Sequence, residues 1–192
     1  MDQDLHIKTP LIHSPALTNI LGRDVYLKLE NLQLGGSFKI RGIGLTMQEA
    51  VRNGATEFIG SSGGNAGMAM AVAANKIGKN VKLFIPKSTL PLMVDKLKKE
   101  KVEVIVTGNN WNEANAEAEK AMEAAPSAFM VHPFGQPTTW RGHSSLVTEL
   151  TSQWEEMGLE ATVPSCLVTC VGGGGLALGI LKVLITNMTK SF

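Results

Sequence analysis

Cysteine is scarce in this chain, with Cys166 and Cys170 the only two. Two thiols are too few for a disulfide framework, and their spacing fits neither a Cys-x-x-Cys redox pair nor a zinc knuckle. Set in an apolar run, they are expected to be buried structural thiols. Long apolar runs are missing too, since nothing approaches the roughly 18 consecutive apolar residues of a membrane span. The opening MDQDLHIKTP has neither the basic nor the apolar region of a secretory signal, so the expected compartment is the cytoplasm and no membrane partner is expected. The sequon at Asn187 then has no glycosylation route to serve. An excess of one charge is also absent: 18 basic residues stand against 17 acidic ones, and the run KLKKEK (96–101) reads as a solvated helix face. This balance gives no reason to expect a nucleic acid. The four histidines, His6, His13, His132 and His143, are scattered and read as structural, so no metal site is expected.

What is present is the profile of an ordinary globular protein, 192 residues with 44% hydrophobic and 18% charged. Short apolar runs at 25–30, 57–62, 81–86, 102–108, 128–132 and 165–172 read as strands. Helix-period runs at 39–53, 65–78, 91–100, 111–124, 139–157 and 175–186 read as helices. Repeated β-α units of this kind predict an α/β fold, a mostly parallel sheet covered by helices, with ligands at the carboxyl ends of the strands.

Three turns at such ends are chemically unusual. In GGSFKIR (35–41), two glycines allow close backbone approach, Ser37 suits an N-cap, and Lys39 falls in a first helical turn, where the helix dipole disfavours a cation. Such a lysine is either a surface residue or an amine of lowered pKa, as Schiff-base chemistry requires. SSGGNAG (61–67) offers Ser61, Ser62, Asn65 and three glycines at a helix start: either a well-capped turn or, with more polar groups than a cap needs, a bed for a carboxylate or phosphate. Four consecutive glycines, Gly172 to Gly175, follow an apolar run and precede a helix, which points to a phosphate nest. Gly172-x-Gly174-x-x-Ala177 also matches a permissive dinucleotide fingerprint. That fingerprint expects an acid about 20 residues on, whereas the last acid here is Glu160. P-loop and His-Glu-x-x-His motifs are absent as well.

In this order, TPLIHSPAL (9–17), GGSFKIRGIG, SSGGNAGMAMAVA, VHPF (131–134), WRGHSSLVTEL (140–150) and VGGGGLALGIL resemble the pyridoxal-phosphate enzymes of the tryptophan-synthase β fold, and among them the L-serine dehydratase and serine dehydratase-like family. The resemblance implies two open, mostly parallel sheets: a small domain over 39–134, and a large cofactor-binding domain from 1–38 plus 135–192, short at its C-terminus. It implies that Lys39 is the Schiff-base lysine and catalytic base, and that Phe38 packs on the pyridine ring. Asn65 would bond the cofactor's phenolic oxygen, Ser62, Gly63 and Ala66 would frame the substrate carboxylate, and Gly172, Gly173, Gly174 and Gly175 would cradle the phosphate. Family members often carry alanine where this chain has Gly63. The implied activity is that of a pyridoxal 5'-phosphate dependent L-serine ammonia-lyase giving pyruvate and ammonia, with L-threonine giving 2-oxobutanoate, in a homodimer. A non-catalytic short form that binds the cofactor weakly, or pairs with a full-length subunit, is the alternative. Family members are longer after the glycine loop, so an unpaired sheet edge and an apolar face near Leu167 and Ile180 are expected.

Overall fold

The computed structural model describes residues 3–100 and 102–189, without the side chains of 187–189. Four parallel strands form its sheet: β3 (Glu57–Gly60), β4 (Asn80–Ile85), β5 (Glu103–Val106) and β6 (Ala128–Val131), in the order β5-β4-β3-β6. Phe58 of β3 pairs with Val81 on one side and Phe129 on the other, which fixes the register of the centre. A parallel sheet hides both faces, and the alternation of side chains along β3 shows how. Phe58 joins Val81, Leu83 and Ile85 in a core under α2 (Lys39–Arg52) and α3 (Asn65–Ile77), while Ile59 joins Phe84 under α5 (Trp111–Glu123). The buried face of α3 is mainly alanine, Ala66, Ala69, Ala73 and Ala74 among them, so the helix lies close on the sheet. It stops at Gly78, whose φ of 64° gives the left-handed cap.

Before the sheet lies an antiparallel pair, β1 (Leu11–His13) and β2 (Tyr26–Lys28), joined through α1 (Pro15–Leu21). Beyond α4 (Pro91–Lys99), α5 and β6 come α6 (Pro137–Glu156) and α7 (Gly175–Thr189). The charged run at 96–99 is solvated except for Leu97, which is buried; Lys101 lies outside the described residues. Helices α2 and α6 meet through glycine: a methyl at Gly42 would lie 2.5 Å from Thr139 O, and one at Gly142 only 2.6 Å from Gly42 Cα. Such contacts exclude any side chain at either position. A second small core, Leu146, Val147, Leu176 and Ile180 with Phe38 against it, joins α6 and α7 to the start of α2.

The six expected helices form within a few residues of their anticipated bounds, whereas the run 165–172 does not become a strand. β1 and β2 pair with each other, so among the described residues this run finds no neighbour, and an unpaired strand leaves its backbone groups to water. Val168 and Val171 stand 90% and 68% exposed there. Cys166 and Cys170 are consequently exposed thiols, not buried ones. The expected apolar surface is real at Leu167 but not at Ile180, which the second core buries; Leu178, Leu181, Leu184 and Ile185 of α7 are exposed side chains instead. The sequon side chains from Asn187 onward lie outside the described residues. Among those residues, no helix is long and apolar enough to cross a membrane, and no cluster of ligating side chains could hold a metal ion.

Candidate active site

Lys39 is the first residue of α2, as its motif predicts, but Ser37 does not cap the helix. Phe38 holds the cap position with no side-chain hydrogen bond, and Ser37 Oγ is buried without a partner among the described residues. Gly35 and Gly36 turn the chain into the helix with φ of 85° and 78°, values that an L side chain rarely adopts. The Lys39 ammonium donates to Pro133 O at 2.7 Å and sits 5.5 Å from the Phe38 ring centroid and 6.0 Å from that of Phe134. Burial lowers its pKa, against a smaller upward pull from Cys170. A partly desolvated amine is closer to the neutral, nucleophilic form than a surface lysine.

Facing it is a cavity of about 360 Å³ lined by Phe38, Lys39, Cys170, Val171, Gly172 to Gly175 and Leu176. The glycines have distinct reasons to be glycine. Gly174 has φ of 82°, Gly172 opens on free space, and a methyl on Gly173 would strike the Phe134 ring at 2.3 to 2.6 Å. Gly175 begins α7, whose positive end therefore points toward the cavity and favours an anion.

Of the sequence-derived site residues, Phe38, Lys39 and the four glycines thus line one cavity. Ser62, Gly63, Asn65 and Ala66 do not line it; they form the neighbouring turn at the carboxyl end of β3. There Ser62 Oγ accepts from Gly64 N–H at 3.3 Å, α3 starts without a side-chain cap, and Asn65 is exposed. Ser61 is fully buried, its Oγ has no partner among the described residues, and its carbonyl accepts Trp111 Nε1–H at 2.7 Å, which pins the turn.

Two groups of residues were not foreseen. One is the turn 132–136 that carries the Pro133 carbonyl. His132 Nδ1 accepts from Phe134 N–H (3.3 Å) and Gly135 N–H (2.8 Å), Gln136 Oε1 accepts from His132 N–H (3.1 Å), and Trp140 Nε1–H donates to Phe134 O (2.7 Å). Burial and the Lys39 charge lower the His132 pKa, keeping the imidazole neutral. VHPF carried the only signal for this turn. The other is a buried charge cluster around Arg41, two residues after the lysine. Its guanidinium binds both oxygens of Glu30 and both of Glu149 at 2.7 to 2.8 Å, while Lys28 donates to Glu149 at 2.7 Å. The cluster ties α2, α6 and the N-terminal segment together behind Lys39. His143 lies fully buried with its ring edge-on to Phe38, 5.1 Å between centroids, and burial holds its pKa at about 3, so it is a neutral packing group.

A model of the pyridoxal-phosphate dependent enzymes matches residues 3–190. The chain belongs to that family. It is 43% identical over 183 residues to a human (Homo sapiens) protein named serine dehydratase-like, covering 95% of this chain and 54% of that one. It is 39% identical over 180 residues to the L-serine dehydratase/L-threonine deaminase of Mus musculus, covering 94% of this chain and 53% of that one. The crystal structure of a fungal L-serine ammonia-lyase from Rhizomucor miehei superposes with a TM-score of 0.85 at 32% identity, over 96% of this chain and 57% of the other. The chain therefore spans about half the length of the curated relatives it matches. The family's cofactor is pyridoxal phosphate, and the residues present fit it: an amine of lowered pKa for its aldehyde, and a glycine turn, open at Gly172 and Gly174, at a helix N-terminus for its phosphate.

Proposed function

We propose that this chain carries the cofactor-binding and substrate-binding core of an ammonia-lyase that converts L-serine to pyruvate and ammonia, and L-threonine to 2-oxobutanoate. The proposal includes the division into 39–134 and 1–38 with 135–192, a homodimeric assembly and a cytoplasmic location. Its main support is that an amine of lowered pKa and a glycine turn at a helix N-terminus, far apart in sequence, face one cavity. The names of the relatives supply the substrates.

Pyridoxal phosphate, when bound, supplies an electron sink for the pair left behind as an amino acid loses its α-proton. The chain's own residues do the rest. Gly172 to Gly175 and the first turn of α7 would hold the phosphate; Phe38 would pack against the ring and Asn65 would bond its phenolic oxygen. The amides around Ser62, Gly63 and Ala66 receive the substrate carboxylate. Lys39 would hold the cofactor and would serve as the base that takes the substrate's α-proton at Nζ, a transfer that its lowered pKa assists. The Pro133 carbonyl keeps that amine at a fixed position while it waits.

A second reading, a short form that binds the cofactor weakly or pairs with a full-length subunit, draws support from the exposed Val163, Val168, Val171 and Leu181. One assay separates the two. With pyridoxal phosphate and L-serine, pyruvate and ammonia should form in equal amounts and vanish in Lys39→Ala. No turnover by the chain alone, with turnover raised or suppressed when a full-length relative is added, would favour the second reading.

A further inference from the structure

Strands β3 and β4 are parallel neighbours, so the turns that follow them leave the sheet at one edge. The turn after β4 is closed by Thr89 N–H to Pro86 O at 2.9 Å, and Lys87 N–H anchors it to Gly108 O at 2.9 Å. It brings Thr89 directly onto Gly63. A methyl at position 63 would lie 2.5 Å from Thr89 Oγ1, 2.6 Å from its Cγ2 and 3.1 Å from its Cβ. The side chain of Thr89 therefore occupies the volume that any side chain at 63 would need, and the two positions share one space. Thr89 is only partly buried, and among the described residues its hydroxyl has no hydrogen-bond partner. It stands beside the uncapped start of α3, whose first N–H groups are open. A free hydroxyl at an uncapped helix start adds a donor where those N–H groups already favour an anion.

We propose that Thr89 is a specificity-determining residue of the amino-acid site: its hydroxyl donates to the substrate's α-carboxylate, and its methyl fills the space that Gly63 leaves open. The proposal rests on the reading of Ser62, Gly63 and Ala66 as the carboxylate site.

The test uses the full chain loaded with pyridoxal phosphate, with dissociation constants read from the change in cofactor absorbance on titration. Two probes are compared, L-serine and L-serinamide, which lacks the carboxylate. Thr89→Val keeps the shape and removes the hydroxyl; it should weaken L-serine about tenfold, the worth of one hydrogen bond to a charged group, and leave L-serinamide within about twofold. Thr89→Ser should bind L-serine as the parent does. Gly63→Ala should weaken L-serine, and adding Thr89→Ser, which keeps the hydroxyl and removes the methyl, should restore part of the loss, because the two side chains share one volume. An unchanged ratio of the two probes in Thr89→Val would overturn the role of Thr89 alone. A parent chain that takes cofactor but shows no preference for L-serine over L-serinamide would overturn the carboxylate site, and this inference with it.

Discussion

Replacing Arg41 with methionine should destabilise the folded chain by about 3 to 5 kcal/mol, the cost of breaking a buried ion pair by removing one partner. The guanidinium is 0% exposed, and the two carboxylates it bridges, Glu30 and Glu149, are 14% and 15% exposed. Without it the two fare differently. Glu149 keeps Lys28 at 2.7 Å, whereas among the described residues Glu30 keeps only the Thr9 hydroxyl at 2.5 Å and the Gln33 amide at 3.3 Å, and no cation. Most of the loss should therefore come from Glu30, and Arg41→Met combined with Glu30→Gln should recover more than half of it. Urea unfolding followed by circular dichroism measures both variants. With an m-value of about 1 to 3 kcal/mol per molar, the single variant should unfold at roughly 2 M less urea. A loss below about 1 kcal/mol, the worth of an exposed pair, would refute the reasoning. So would a double variant no more stable than the single one.

The same cluster sets an acid limit. Burial alone would raise the Glu149 pKa, but the hydrogen bonds and charges of Arg41 and Lys28 outweigh it and hold the group at about 2 against an ordinary 4.5. Its contribution is complete above the ordinary value and is lost as pH falls toward the depressed one. It amounts to about 2 kcal/mol once solvent screening is allowed for. Stability measured across the acid range should show that slope in the parent and lose it in Glu149→Gln. In the glycine turn, Gly173→Ala should lower both thermal stability and cofactor affinity, because its methyl meets the Phe134 ring. Gly172→Ala, which opens on free space, should leave the melting temperature unchanged and weaken only the cofactor. Thiol titration should find Cys166 and Cys170 both reactive, with pyridoxal phosphate protecting Cys170, which lines the cavity, and not Cys166.

The sequence was most informative where structure is local. Helices α2 to α7 follow from periodicity and from Gly and Pro signals, and the four central strands from short apolar runs between them. The glycine turns were legible because clustered glycine has few uses other than tight turns and close approach. The run 165–172 misled because a strand is made by its neighbours: β-branched, apolar residues state a preference, and nothing in the described chain pairs with them. Arg41 escaped notice because its partners, Glu30 and Glu149, lie on other elements, and no spacing along the chain marks such a cluster. Thr89 is similar. A threonine in a turn after a strand is unremarkable until the neighbouring strand brings Gly63 beneath it. Ser37 failed as a cap because the chain enters α2 one residue later, at Phe38.

The central claim is that Lys39 is the residue that holds the cofactor. Its most direct test is to incubate the purified chain with pyridoxal phosphate, reduce with borohydride and map the labelled peptide by mass spectrometry, with Lys39→Ala in parallel. One stoichiometric label is expected on Lys39 and none in the variant, with competition by inorganic phosphate at the glycine turn. Label scattered over surface lysines, or unchanged in Lys39→Ala, would contradict it.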